Sequence, residues 1–208
     1  MHGRRISPSA EIGGVTHLES IIDQQEGPTC GFEAVENTIQ LFYPVGNQLS
    51  RNVLIQRASN LGALLTDGSG YILDVSGYQA ILQDFRIAST WYAFDHDVLI
   101  DAVWNDRAAI LLVDGNKLDR PNYSRPGSWH AILVTNLITD LTHETALAYV
   151  GIDSNFARQQ RIWQCDALEK AANAYGPVTM LITDRPMLWP HRSEHYVRHR
   201  DGRTILAQ

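Results

Sequence analysis

Cys30 is the residue whose type and position most suggest covalent chemistry. A thiolate is a strong nucleophile, and the first turn of a helix stabilises it through unpaired N–H groups and the helix dipole. The segment CGFEAVENTIQLFY has apolar residues at helical spacing and stops at Pro44, with Thr29 as a candidate N-cap. It therefore predicts a helix that begins at Cys30, and Gly31 leaves no side chain beside the sulfur. A lone cysteine is, however, more often a small buried apolar residue.

Two residues in the second half of the chain could activate this thiol. His130 begins the apolar segment HAILVTNL, and Asp153 ends the next apolar segment, ALAYVGID. Neighbouring strands can place a carboxylate against the far nitrogen of a histidine, which fixes the orientation and tautomer of the ring. The histidine can then act as a base toward the cysteine. Asn155 is the alternative orienting residue, and Asp153 also fits an ordinary turn.

A glutamine upstream of the cysteine could bind an oxyanion. Gln24 precedes Cys30 by six positions, and its side-chain amide could join the Cys30 backbone N–H in an oxyanion hole. Gln25 is the competing residue. Trp129, beside the candidate base, could line the substrate cleft or shield the ion pair, although most aromatic residues at such a place only pack. The order glutamine, cysteine, histidine, aspartate, on elements of suitable type, predicts a cysteine hydrolase.

The elements that position these residues are helices in the first half of the chain and strands in the second. Helical or capping patterns occur at 30–43, at 49–58, from Ser76 with a capping box to Gln79, at 98–104 with Asp97 as cap, and from Asp166. Strand patterns occur at 108–114, 129–137, 146–153 and 177–183, with a short further one at 159–163. Because the two kinds of element are segregated, an α+β domain is expected.

Length and composition are those of a soluble globular chain. The 208 residues suit one compact domain, which we place at 20–183, between a flexible arm at 1–19 and a polar tail at 184–208. The formal net charge of -6 argues against a nucleic-acid partner, because phosphate binding needs a basic surface. No apolar run approaches the ~18 residues that a membrane span needs. The sequence leaves the oligomeric state open.

Cysteine usage and the first residues bear on location. Free thiols at Cys30 and Cys165 fit a reducing compartment, and Cys165 is read as structural. The N-terminal segment MHGRRISPSAEIGG lacks the apolar core of a Sec-type signal peptide. We therefore expect a cytoplasmic protein, or one exported without such a signal.

Three tail histidines, His191, His195 and His199, recur every four residues and could align as metal ligands on a helix. Their segment has little apolar periodicity to support a helix, and a solvated basic tail is expected instead. Neither a metal nor a cofactor is predicted.

At three motifs the chain resembles the papain-like cysteine peptidases, and most closely the branch of double-glycine leader peptidases of bacteriocin exporters. The motifs are QQEGPTCGFEAV, WHAILV and YVGIDSN. The resemblance implies a papain-like fold, in which the nucleophile helix of the N-terminal helical half packs on a C-terminal antiparallel sheet. It also implies that Cys30 attacks, His130 is the base, Asp153 orients it and Gln24 stabilises the oxyanion. The family usually has glycine where this chain has Trp129, so substrate specificity does not carry over.

The implied activity is cleavage of a peptide bond in a protein or peptide substrate through an acyl-thioester. Deamidases, transglutaminases and acyltransferases use the same first half-reaction, so they remain alternatives. A catalytically silent interaction module of the same fold is a second alternative. A small stand-alone domain would also suit a secreted bacterial effector that modifies another protein.

Overall fold

The computed structural model describes residues 4–5, 30–43, 51–64, 72, 74–105, 107–118, 129–139, 146–154, 160–184, 196–198 and 204–206. The helices are α1 (Cys30–Phe42), α2 (Arg51–Asn60), α3 (Val75–Asp84), α4 (His96–Trp104) and α5 (Cys165–Tyr175). The strands are β1 (Arg4–Arg5), β2 (Ser89–Tyr92), β3 (Ala108–Asp114), β4 (Trp129–Thr139), β5 (Ala146–Ile152), β6 (Gln160–Gln164), β7 (Met180–Thr183), β8 (Tyr196–Arg198) and β9 (Thr204–Leu206). None of the helices in these ranges is long and apolar enough to cross a bilayer.

One antiparallel sheet is the centre of the fold. Its strands lie in the order β2-β7-β3-β4-β5-β6, β1 also pairs with β4, and every pairing is antiparallel. β8 and β9 form a separate two-stranded ladder within residues 184–208, for which the sequence predicts a polar tail. The α+β arrangement expected from the sequence, with a helical half against a C-terminal antiparallel sheet, is confirmed.

The sheet has a hydrophobic core on each face, which explains why its central strand is apolar throughout. In β3, Ile110 and Leu112 pack with residues of α1, α2 and α3. Ala109, Leu111 and Val113 of the same strand pack with residues of α4 and α5. Alternate residues of a strand point to opposite faces, so a strand covered on both sides has no polar face. The nucleophile helix α1 therefore lies on the first of these faces.

A buried charge cluster joins α1 to α2. Arg51, the first residue of α2, lies 2.7 Å from Glu33 and 3.6 Å from Glu36, and both carboxylates are almost wholly buried. The Arg51 guanidinium also lies over the ring of Phe32. Burial raises the pKa of Glu36 to about 7, against the opposing charge of Arg51. One arginine therefore compensates two acids within the helix that carries the cysteine.

Two helix starts differ from the sequence prediction. The cap of α3 is Asp74, whose carboxylate accepts hydrogen bonds from the backbone N–H groups of Ser76 and Gly77, so the predicted capping box from Ser76 is wrong. Gln79 instead donates to the backbone oxygen of Ser89. In both α3 and α4 the cap is an aspartate that precedes the predicted cap residue. A carboxylate in this place reaches two free N–H groups of the first turn.

The cap of α4 is Asp95 rather than Asp97, and this helix begins at His96. Strand β2 has no counterpart in the sequence prediction. Its four residues alternate between half-buried and exposed, and it lies at the edge of the sheet against β7. An edge strand of this length has too little apolar patterning to be found from sequence.

Candidate active site

Cys30 is the first residue of α1, where the sequence predicts it, and its side chain is half-buried. It packs at the margin of the core that α1 shares with the sheet. The first N–H groups of a helix have no partner within the helix, and the dipole there favours negative charge. The sulfur thus occupies a position that suits a thiolate. Thr29, the predicted N-cap, lies outside the described residues.

His130 and Asp153 are brought together by the register of β4 and β5. Leu133 of β4 pairs with Ile152 of β5. Continuing this antiparallel register by one residue sets Asp153 opposite Ile132, two residues from His130 along β4. Diagonal neighbours of this kind are within reach of long side chains on one face of a sheet. The two predicted residues therefore meet because of strand pairing rather than loop geometry.

The contact between these two side chains is a buried charge-assisted hydrogen bond. Nε2 of His130 lies 2.8 Å from Oδ1 of Asp153. His130 is 5% exposed and Asp153 is fully buried. A carboxylate accepts hydrogen bonds only, so Nε2–H is the donor and Nδ1 is left to exchange a proton with another group. The side chain of Cys30 lies close enough to His130 to affect the pKa of the imidazole.

Electrostatics favour the protonated form of the histidine. Burial alone would lower the pKa of His130, but the hydrogen bond to Asp153, the neighbouring Cys30 side chain and the charge of Asp153 raise it to about 10. An imidazolium that lies between a carboxylate and a thiol is the arrangement in which a cysteine–histidine ion pair can form. The site can therefore supply both a nucleophile and a proton donor.

The second thiol has a different environment. Cys165 begins α5 and its thiol donates to the backbone oxygen of Ala146 at 3.3 Å. Burial, and then the charge of Asp166, raise the pKa of this thiol to about 11. These contacts hold Cys165 as a neutral thiol.

Two tyrosine side chains, one on α3 and one on α5, lie near Cys30. Tyr78 of α3 is 9% exposed, and its hydroxyl lies so close to α1 that a Cβ atom on Gly31 would be 2.2 Å from it. Burial, and then Cys30 and Tyr175, raise the pKa of the Tyr78 phenol above its ordinary value. Burial and then Cys30 also raise the pKa of Tyr175, at the end of α5. Two tyrosine hydroxyls thus lie in the electrostatic environment of the sulfur.

Trp129 forms an exposed aromatic surface beside the candidate base. It is 57% exposed and meets the ring of Tyr175 edge-on, with 4.7 Å between ring centroids. Trp129 pairs with Asp114 of β3 in the residue pair next to that of His130. A large apolar ring is therefore held against Tyr175 and left open to solvent, next to His130 in the chain.

Several predicted residues lie outside the described part of the chain. These are both glutamines, the alternative orienting residue and the three tail histidines: Gln24, Gln25, Asn155, His191, His195 and His199. Within the described ranges there is no group of three or more His, Cys, Asp or Glu side chains that could hold a metal ion.

Sequence reasoning missed the tyrosines near the sulfur. Tyr78 belongs to the apolar face of α3, and nothing in the pattern of the sequence links α3 to Cys30. The one available signal is Gly31, a glycine in the first turn of a helix, which indicates the close approach of another group. The approaching group is the Tyr78 hydroxyl.

Comparison with known proteins supports the fold. No protein-family model matches the sequence, and no curated protein matches it. Among solved structures, the chain is similar to the crystal structure of a "putative C39-like peptidase" from Bacillus anthracis, with a TM-score of 0.58 and 9% sequence identity. The match covers 88% of this chain and 98% of that chain. At this identity the likeness shows a C39-like, papain-like fold, since one fold can support several activities.

Proposed function

We propose that this chain is a cysteine peptidase that cleaves a peptide bond through an acyl-thioester on Cys30. The observation that carries the proposal is the hydrogen bond of His130 to Asp153, with Cys30 at the start of α1 close enough to affect the pKa of the histidine. A nucleophile, a base within hydrogen-bonding reach and a third group that orients the base are the requirements of covalent acyl transfer. The C39-like fold supports the same choice of chemistry.

The reaction follows from this geometry. Nδ1 of His130 takes the thiol proton, and the Cys30 thiolate attacks the carbonyl carbon of the substrate. The resulting oxyanion is held by the Cys30 backbone N–H and, by the resemblance above, by the amide of Gln24. His130 gives its proton to the leaving amine, and the acyl-thioester forms. The histidine then activates water, which releases the acid product.

Asp153 has an orienting role in this scheme. Its hydrogen bond to Nε2 fixes the ring so that Nδ1 faces the sulfur, and its charge stabilises the imidazolium. Trp129 is proposed to contact the substrate, because its exposed ring lies next to His130 in the chain and is held by Tyr175. The expected substrate is a protein or peptide, and no nucleic acid is expected to bind.

Incubation with a mixture of peptides from a digested proteome tests the proposal. New peptide termini that appear with the wild-type protein, but not with Cys30→Ala, would support a peptidase. Cys165→Ala is the matched control, since it removes the other thiol, and it should cleave as the wild type does. The mass change of an amide converted to an acid would indicate a deamidase instead, and an adduct would indicate acyl transfer. No change in any peptide would favour the catalytically silent module.

A further inference from the structure

The hydroxyl of Tyr78 lies against the first turn of the nucleophile helix. A Cβ atom on Gly31 would be 2.2 Å from the Tyr78 oxygen and 3.0 Å from the ring carbon that carries it. Only a glycine at position 31 leaves room for this contact. Gly31 directly follows Cys30, so the phenol oxygen contacts α1 one residue along the chain from the N–H of the proposed oxyanion hole.

The Tyr78 ring is held firmly in this place. Asp74 caps α3 and fixes its first turn, from which Tyr78 projects. The ring of Trp91 meets the Tyr78 ring edge-on at 5.7 Å between centroids. The indole N–H of Trp91 in turn donates to the backbone oxygen of Val75, at 2.9 Å. The hydroxyl is therefore positioned in advance and does not depend on a mobile side chain.

This hydroxyl forms no hydrogen bond with another residue in the part of the chain that the structure describes. Tyr78 is 9% exposed, and its oxygen is not among the fully buried unpartnered side-chain atoms of the described residues, so the hydroxyl is not sealed in the core. The unmatched donor lies at a helix N-terminus, where unpaired N–H groups and the dipole already favour an anion. Burial, and then the nearby Cys30 and Tyr175, raise the pKa of Tyr78, so the hydroxyl remains a donor while Cys30 reacts.

We propose that Tyr78 is a catalytic oxyanion donor, whose hydroxyl binds the substrate carbonyl oxygen as negative charge develops on it. When the Cys30 sulfur bonds to the carbonyl carbon, the π electrons of the C=O bond move to the oxygen. The Tyr78 O–H donates a hydrogen bond to this oxygen without giving up its proton. As the C=O bond re-forms, the leaving group departs with the proton from His130. This role rests on the proposed function, because it requires Cys30 to be the nucleophile.

The test compares two reactions of the same thiol. p-Nitrophenyl acetate acylates a reactive cysteine through a tetrahedral oxyanion and releases coloured p-nitrophenolate, whereas iodoacetamide alkylates the cysteine with no oxyanion. Tyr78→Phe keeps the ring that packs on Gly31 and removes only the donor. The acylation rate constant should fall at least about tenfold, toward the 10²–10³-fold typical of losing one such donor. The alkylation rate constant should change less than about twofold, because that transition state has no oxyanion to stabilise.

Tyr92→Phe, on the edge strand β2, is the matched control and should leave both rate constants as in the wild type. Burst amplitude counts the active thiol in each sample, so partial loss of folded protein does not affect the comparison. An unchanged acylation rate in Tyr78→Phe, with alkylation also unchanged, would overturn the role of Tyr78. An equal loss in both reactions would also overturn it, since the hydroxyl would then be supporting the thiol. A wild-type burst no larger than that of Cys30→Ala would instead contradict the proposed function itself.

Discussion

Nε2 of His130 lies 2.8 Å from Oδ1 of Asp153, and both side chains are shielded from solvent. Charges removed from water interact strongly, and each needs the other because an unpaired buried charge is costly. The pair thus keeps the histidine protonated and points Nδ1 away from the carboxylate. The pH dependence of both activity and stability follows from this contact.

Asp153→Asn should move the alkaline limit of activity to lower pH. Asparagine can accept the Nε2–H bond through its carbonyl but carries no charge, so the pKa of His130 falls from about 10 toward its ordinary 6.5. The wild type should remain active until the pH approaches 10, where the imidazolium is lost as general acid. Hydrolysis rates measured across pH check this. An alkaline limb that stays in place in Asp153→Asn would contradict the assigned partner.

The same pair affects stability in a defined direction. Because the pKa of His130 in the folded protein is raised above 6.5, the stability that His130 contributes is complete below pH 6.5 and is lost as the pH rises through about 10.

His130→Ala should lower the hydrolysis rate by several orders of magnitude at every pH, since members of a triad act as a unit.

Gly31→Ala should destabilise the protein although alanine is the better helix former. Its Cβ would lie 2.2 Å from the Tyr78 hydroxyl, and overpacking of this kind typically costs about 1–3 kcal/mol, more than the ~1 kcal/mol gained in helix propensity. Adding Tyr78→Phe should restore part of the loss. Gly176→Ala is the control, because nothing lies within 4 Å of its Cβ position. Denaturant unfolding measures all of these, and equal stability of Gly31→Ala and wild type would show that the contact is loose.

Gln24→Ala should lower turnover by about 10²–10³-fold, the usual loss for one oxyanion donor. Gln25→Ala should be nearly normal, since successive residues in an extended segment point to opposite sides. Substrate affinity and the alkylation rate of Cys30 should change little in either variant. Steady-state kinetics decide between them: the reverse pattern would assign the role to Gln25, and normal turnover in both would remove glutamine from the mechanism.

Glu36→Gln should stabilise the protein at pH 8 more than at pH 5. Burial raises the pKa of Glu36 from 4.5 to about 7, so the folded protein favours the protonated carboxyl. The contribution of Glu36 to the free energy of unfolding is therefore fully present below pH 4.5 and is lost as the pH rises through 7. At about 1.4 kcal/mol for each tenfold change, the pH-dependent part is on the order of 3 kcal/mol. Asp166→Asn, which removes an exposed charge, is the control. A stability gain that does not vary with pH would contradict the buried, titrating state of Glu36.

Sequence periodicity predicts the helices and strands that bury one face, or both faces, in the hydrophobic core. The apolar run of β3 and the helical spacing after Cys30 appear in the structure at nearly the predicted bounds. Periodicity does not predict features that depend on strand pairing or on helix capping. Strand β2 exists because β7 offers an edge, and the caps Asp74 and Asp95 act through short-range geometry that several polar residues could supply.

The meeting of His130 with Asp153 could be expected from two adjacent strands that end in chemically suited residues. The position of Tyr78 could not, because it depends on the packing of α3 against α1, which no local pattern encodes. A glycine in the first turn of a helix indicates that some group approaches closely, but not which one.

Alkylation of the two cysteines by iodoacetamide near neutral pH tests the nucleophile most directly, with each site quantified by peptide mass spectrometry. Cys30 lies near His130, whose pKa is raised to about 10, whereas burial holds Cys165 as a thiol with a pKa of about 11. Labelling of Cys30 should therefore be at least about tenfold faster than that of Cys165, and His130→Ala should remove most of the difference. Equal labelling rates for Cys30 and Cys165 in the wild-type protein would contradict the assignment of Cys30 as the nucleophile.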